Sequence, residues 1–248
     1  MRYGVAADVH GNLPALLEVL EALHEAKVDR ILCPGDVVGY GPQPDACAQA
    51  LADADALVVA GNHDLMAIGE LPIGNTGRIV RRTIEWTRSV ISDSTRAWLA
   101  ELPLELETDD GVAITHGGLG DTECYVRNAA DAEVQLAALA AERPGARGLL
   151  IGHTHLPMEH TAPDGRWLLN AGSVGQSREH APVARALVFD AASGPESAEF
   201  LELHYDVGTT RRELRAEGLP RHACHLAPGR LAELRRRVST LAMEAAIR

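Results

Sequence analysis

Five short motifs in this chain concentrate residue types that bind metal or move protons. They are Asp8-Val9-His10, Gly35-Asp36, Gly61-Asn62-His63-Asp64, Thr115-His116-Gly117-Gly118 and Gly152-His153-Thr154-His155. Aspartate, asparagine and histidine without cysteine suit Mn, Fe, Zn, Ni or Co better than Ca. There are too many candidate ligands for one ion. A carboxylate can bridge two cations about 3.5–4 Å apart, where they clamp a phosphoryl oxygen and generate hydroxide. Asp36 is the natural bridge, as the acid central to the set. Asp8 and His10 stand two residues apart, as do His153 and His155. Along a continued strand such pairs point the same way and can reach one centre. Asn62 and His63 are adjacent and should point differently.

The elements that must position these motifs are legible in the apolar runs. Tyr3 to Ala7 reads as a buried strand ending at Asp8. Leu13, Leu16, Leu17, Leu20 and Leu23 then recur at helical spacing, after Asn12 as an N-cap and Pro14 in the first turn. Arg30 to Cys33 is the next strand, so the unit is βαβ with a parallel pair. Asp45 to Leu51 resumes a helix, and Ala56 to Ala60 is a strand closed by a Gly61–Asp64 turn. Leu65 to about Leu102 is helical, broken at Pro72 to Gly77, with Ser94 capping a short helix through Leu99. It either roofs the site or belongs to the core.

Val112 to Thr115 and Gly148 to Ile151 are strands ending at His116 and Gly152, with a helix over Ala130 to Glu142 between them. Arg166 to Leu169, Ala184 to Phe189 and Glu199 to Tyr205 are later strands, the last two an antiparallel pair. From Asp206 the tail reads as two helices split near Gly218 to Pro228, with Arg235, Arg236 and Arg237 on a solvated face. Open α/β sheets bind ligands beyond the carboxyl ends of their strands, where every candidate falls.

Composition sets bounds on function. At 248 residues, 46% hydrophobic and 23% charged, the chain is ordinary for one globular domain. A net charge of −12 disfavours binding of nucleic acid, which depends on Lys and Arg neutralising phosphate. With aromatics at 4%, the core should be aliphatic rather than ring-packed. Cys33, Cys47, Cys124 and Cys224 form no metal-binding or disulfide pattern, which fits reduced thiols in a cytoplasm. No basic leader precedes the first strand, and no apolar stretch reaches membrane-spanning length.

In order and spacing these motifs resemble the calcineurin-like metallophosphoesterases, and the resemblance spans positions 8 to 155. It continues weakly through Asn170-Ala171-Gly172-Ser173, where many members carry proline at the position of Ala171. The resemblance implies a four-layer α/β/β/α sandwich. It implies a first metal held by Asp8, His10, Asp36 and His155, and a second by Asp36, Asn62, His116 and His153. A hydroxide bridging the two divalent ions would attack phosphorus in line. His63 would stay off the metals and protonate the leaving oxygen or stabilise phosphoryl charge, oriented by Asp64.

The loop from Gly35 to Pro42 resembles small stand-alone prokaryotic phosphatases and phosphodiesterases. The expected substrate is a phosphorylated small molecule, nucleotide or phosphoprotein, with a monoester ahead of a diester such as a cyclic nucleotide. Tyr40 and Arg178 stand on loops that could reach it, and Arg suits bidentate phosphate contact. One relative of this fold, the retromer scaffold subunit, has lost catalytic residues and serves as a binding surface. Here His63 and all the ligands are present. Asn170 reads as a turn former, Cys33 as a core residue, and His222 and His225 as a surface helix junction.

Overall fold

The structure, a computed structural model, describes residues 1–74 and 76–227. The second tail helix expected from the sequence and its three arginines therefore lie outside the described residues. In chain order the elements begin with β1 (Arg2–Val5), α1 (Leu13–Glu25), β2 (Arg30–Cys33), α2 (Pro44–Asp53) and β3 (Leu57–Val58). Three helices follow, α3 (Asn62–Ile68), α4 (Arg78–Val90) and α5 (Asp93–Glu101). Then come β4 (Glu105–Glu107), β5 (Val112–Thr115), α6 (Ala129–Glu142), β6 (Gly148–Ile151), β7 (Pro157–Thr161) and β8 (Trp167–Ala171). The described chain closes with β9 (Ala184–Asp190), β10 (Glu199–Leu203) and α7 (Val207–Ala216).

Two five-stranded sheets result, in the orders β10-β9-β1-β2-β3 and β4-β5-β6-β8-β7. β1, β2 and β3 run parallel, as do β5, β6 and β8, whereas β9, β10, β4 and β7 join antiparallel. Side-chain alternation explains the layering. On β9, Leu187 and Phe189 face the gap between the sheets, while Ala186 and Val188 face the outer helices. On β6, Leu150 enters the gap, and on β8 so do Trp167 and Leu169. Leu149, Ile151 and Leu168 instead pack beneath α6 with Leu136 and Leu139. Strands apolar on both faces are the expected signature of sheets covered on both sides. The fold is the four-layer α/β/β/α sandwich.

Several local expectations need correction. The Gly61–Asp64 stretch is not a free turn: Gly61 is the N-cap of α3, and Asn62 to Asp64 form its first turn. The cap of α5 is Ser92 rather than Ser94, with the Ser92 hydroxyl accepting the Thr95 N–H. Asn12 stands at the N-cap of α1 but makes no side-chain cap there. Its amide instead donates to the Gly175 carbonyl and accepts from the Thr210 hydroxyl, tying α7 to the start of α1. The inter-sheet layer also contains rings, with Phe189 set 5.6 Å from Tyr3 and 5.5 Å from Trp167. Scarce aromatics are thus concentrated where two sheets must interlock.

Candidate metal centre

All the candidate ligands lie beyond the carboxyl ends of strands. β1 delivers Asp8 and His10, β2 delivers Asp36, and β3 leads to Asn62 and His63. The other sheet contributes His116 after β5, then His153 and His155 after β6. Strand alternation is not what pairs them. Asp8, His10, Asp36, Tyr40, His153 and His155 all have positive φ, between 51° and 64°. For non-glycine residues that conformation costs free energy, and its clustering marks a functional site. Both members of each two-residue pair reach the centre because the chain curls left-handed at both, not because a strand continues.

Three histidines are fixed in the same way. The Nδ1 of His10, His116 and His155 lies 3.1, 2.7 and 2.7 Å from the carbonyl oxygens of Val38, Pro34 and Gln176. A carbonyl only accepts, so each Nδ1 carries a proton and each Nε2 is the atom turned toward the centre. Those Nε2 atoms converge. His10 Nε2 is 3.1 Å from His155 Nε2. Asp36 Oδ2 is 3.5 Å from His10 Nε2 and 3.3 Å from His116 Nε2. Asp8 Oδ1 is 3.5 Å from His155 Nε2. Asn62 Oδ1 lies 3.0 Å from His116 Nε2, beside the second group.

The ligand atoms fall into overlapping sets within 4.8 Å: Asp8, His10 and His155; His10, Asp36 and His63; and Asp36, His116 and His153. Asp36 thus belongs to two sets, with one oxygen toward both His10 and His116. Its other oxygen accepts the His63 backbone N–H at 2.8 Å. His63 itself lies close enough to be counted in a ligand set, although the resemblance keeps it off the metals.

These residues fit divalent cations. Two imidazole lone pairs facing each other at 3.1 Å repel unless a positive charge stands between them. Asp8 Oδ2 and His153 Nε2 are buried with no hydrogen-bond partner, a costly condition that a cation would relieve. The electrostatics agree. Burial pushes Asp8 up to about 7. Burial also disfavours the charge on His116, but the charge and hydrogen bond of Asp36, with Asp8 and the Pro34 carbonyl, together raise His116 to about 9. Asp36 is held well below the ordinary carboxylate range because His116 and His63 outweigh its own burial. Burial, together with the charge on His116, lowers His153 to about 3.

Asp64 does not touch the His63 ring. Its carboxylate accepts the backbone N–H groups of Val37, Val38 and Gly61 at 3.2, 3.0 and 3.0 Å. It fastens the loop after β2 to the start of α3, and so acts on His63 through the backbone. The His63 ring packs 4.6 Å from the Tyr40 ring and 4.7 Å from His10. Gly39 has φ 87°, and a Cβ there would run into the His63 ring. Asn170 is structural, donating to the Gly152 carbonyl and the Thr154 hydroxyl and so shaping the loop that carries His153.

A cavity of about 200 Å³ opens over the centre, reaching Asp36, Asn62, His63, His153 and His155. Tyr40 and Arg178 also line it. Arg178 is pre-set by Gln176 Oε1 at 3.3 Å and the Thr154 carbonyl at 3.1 Å. Burial raises the Tyr40 hydroxyl to about 12, with Arg178 opposing the rise. Met66, Thr76, Gly77 and Val80 form another wall, so the 65–102 segment lines the site as well as supplying core residues such as Ile84 and Leu99.

Sequence reasoning missed Glu123 and Tyr125, which also line the cavity. Tyr125 packs 4.0 Å from the His153 ring, and the Arg127 guanidinium lies 4.0 Å from the Tyr125 ring centre. The loop that carries them has no periodicity, and the Gly117-Gly118 pair before it was the available signal of close packing. His225 donates to or accepts at no cluster of ligands; its Nε2 meets the Glu179 carbonyl at 3.1 Å.

Two sheets that deliver buried Asp, Asn and His to one centre define a metal-dependent phosphoric ester hydrolase. The chain belongs to the calcineurin-like phosphoesterase superfamily, whose domain model matches residues 1–194. It is similar to an uncharacterised protein of Methanocaldococcus jannaschii, 27% identical over 236 residues, covering 87% of this chain and 93% of that one. It also resembles a metallophosphoesterase from Sphaerobacter thermophilus, at 28% identity and TM-score 0.72, covering 90% of this chain and 96% of that one. A hypothetical protein of Pyrococcus horikoshii shares the fold at 20% identity and TM-score 0.79, with the same coverage of 90% and 96%.

Proposed function

We propose that this protein is a cytoplasmic phosphatase that hydrolyses phosphate monoesters of small molecules or nucleotides with two divalent transition cations. The observation that carries the reading is the convergence of three histidine Nε2 atoms and a shared Asp36 oxygen at one buried centre. Asp8, His10, Asp36 and His155 would hold one cation, and Asp36, Asn62, His116 and His153 the other. Nitrogen and oxygen donors without sulfur favour Mn, Fe, Zn, Ni or Co, with Mn the first to test. When bound, the ions supply an activated water and the positive charge that a transferring phosphoryl group requires.

The chain's own residues supply the rest. Arg178, already held by Gln176 and Thr154, directs its guanidinium into the cavity to bind phosphoryl oxygens. Tyr40 packs against His63 and keeps it facing the cavity. The His63 ring lines the cavity beside Asp36, where it would hold or move a proton at the leaving oxygen. Asp64 fixes the loop and helix on which Asp36 and His63 stand. With no covalent enzyme intermediate in this scheme, configuration at phosphorus inverts.

Four free cysteines support the cytoplasmic assignment. Among the described residues no helix is long and apolar enough to cross a membrane. The test is initial rate on matched aryl phosphate mono- and diesters after chelation and Mn²⁺ or Ni²⁺ restoration. The expected result is metal-dependent turnover, faster on the monoester and abolished in His63→Ala. A faster diester would reassign the protein as a phosphodiesterase acting on cyclic or other nucleotides. Tight metal binding with no turnover on either ester would favour a protein-binding scaffold instead.

A further inference from the structure

The cavity is small for a whole substrate. Sites that enclose a drug-sized ligand run about 300–1,000 Å³, against about 200 Å³ here. Such a space encloses a phosphoryl group and the first atoms of the leaving alcohol, and the remainder lies against the lip. Among the described residues Arg178 is the only Lys or Arg lining the cavity, and it suits a single phosphoryl anion.

Among the described residues Glu123 is the one lining carboxylate outside the ligand set. Its side chain is exposed, and no hydrogen bond or ion pair engages its carboxylate among the described residues. Its backbone, by contrast, is fixed. The Glu123 N–H donates to Asp121 Oδ1 at 2.9 Å, and the Cys124 N–H donates to the Asp121 carbonyl. Gln135 anchors the same loop by accepting the Leu119 N–H at 2.9 Å and donating toward Cys124 Sγ at 3.7 Å. The nearby cation Arg127 is placed against Tyr125 and does not line the cavity. An unpaired carboxylate is thus presented by a pinned loop at the mouth of a site made for an anion.

We propose that Glu123 is a charge filter for the leaving group. The site takes phosphate esters whose leaving alcohol is neutral or cationic, and discriminates against those carrying a second anionic group such as another phosphate or a carboxylate. The inference rests on the hydrolase reading of the same cavity. The physical basis is Coulombic: a like charge several ångströms away in a partly solvated site changes affinity by about threefold to tenfold. Salt should weaken the effect, as for any exposed pair of charges.

The test uses the full chain loaded with Mn²⁺ and phenyl phosphates bearing a para carboxamide, carboxylate or trimethylammonium group. Rates for wild type are divided by those for Glu123→Gln, which cancels the intrinsic reactivity of each leaving group. With the carboxamide as reference, the wild-type/variant ratio of kcat/KM should fall about threefold to tenfold for the carboxylate and rise for the trimethylammonium ester. Binding of the matching benzylphosphonates, read by calorimetry, should show the same charge order without turnover. Hydrolysis with ratios independent of charge would overturn the filter and leave the hydrolase reading standing. Charge-ordered phosphonate binding without hydrolysis would overturn the hydrolase reading, and with it a filter on the leaving group. Failure to bind any phosphonate would overturn both.

Discussion

His10 and His155, 145 residues apart in sequence, bring their Nε2 atoms to within 3.1 Å of each other. Each Nδ1 is committed to a carbonyl, so neither ring can turn its lone pair away without losing a buried hydrogen bond. The folded chain therefore holds a repulsive pair that a cation converts into an attractive one. Metal should stabilise the fold by mass action, by about 2.7 kcal/mol at one hundred times the dissociation constant. Thermal unfolding should thus rise with Mn²⁺ and fall with chelator, and His155→Phe should reduce the metal-dependent part. A melting temperature independent of metal would contradict this account.

Asp36 and His63 should fail in different ways. Asp36 faces both histidine groups with one oxygen, so Asp36→Ala should lose bound metal as well as activity. His63 meets Asp36 through its backbone N–H, which a substitution to alanine retains. His63→Ala should keep its metal content and lose turnover by about 10²–10⁴-fold, the usual contribution of a positioned acid or base. Metal analysis of both purified variants decides the matter. Because His63 lies within reach of a ligand set, loss of metal from His63→Ala would place it among the ligands.

The strands that carry the ligands, the site at their carboxyl ends and the ligand types were readable from the apolar runs and what terminates them. Geometry inside the site was less readable. The spacing of Asp8 and His10 suggested an extended strand, but the pair depends on left-handed backbone at non-glycine positions. Such strain is imposed by tertiary structure and leaves no mark in local propensity. β4 and β7 went unread because both are edge strands: β7, Pro157–Thr161, alternates exposed and half-buried residues and carries little apolar signal. Asn12 shows the same limit in another way. Its local chemistry suited a helix cap, yet its side chain is claimed by Gly175 and Thr210, far away in sequence.

Glu179 and Arg185 give a pH prediction away from the metal centre. Arg185 donates to both Glu179 oxygens, at 2.7 and 2.6 Å, and also meets Glu202 at 2.6 Å. The hydrogen bond from Arg185 holds Glu179 below its ordinary value of 4.5, outweighing the opposite effect of burial. A carboxylate depressed in the folded state stabilises fully above its unfolded value. That contribution disappears as pH falls through the folded value. Between wild type and Glu179→Gln, the difference in melting temperature should therefore be constant above about pH 5 and shrink toward lower pH. A difference that stays constant down to about pH 3 would rule the pair out as a source of acid sensitivity.

Arg178 and Tyr40 share one wall of the cavity, but their substitutions should separate binding from turnover. Arg178 already spends Nε on Gln176 and Nη1 on Thr154, which fixes the plane of the guanidinium before substrate arrives. A charge-assisted hydrogen bond is worth about 1.5–3 kcal/mol, so Arg178→Ala should lower kcat/KM by about ten- to one-hundredfold. Most of the loss should appear in KM if Arg178 binds the phosphoryl group equally in the ground and transition states. Arg178→Lys restores the charge but not the planar fork, and should recover only part. Tyr40 instead packs its ring on His63 and His10, beneath Leu214, Leu219 and Ala223. Tyr40→Phe keeps that packing and should leave kcat within about threefold. Tyr40→Ala removes the ring that supports His63 and should lower kcat more than KM. Steady-state kinetics on a single monoester distinguishes these patterns, and an Arg178→Ala defect confined to kcat would move Arg178 from binding substrate to stabilising the transition state.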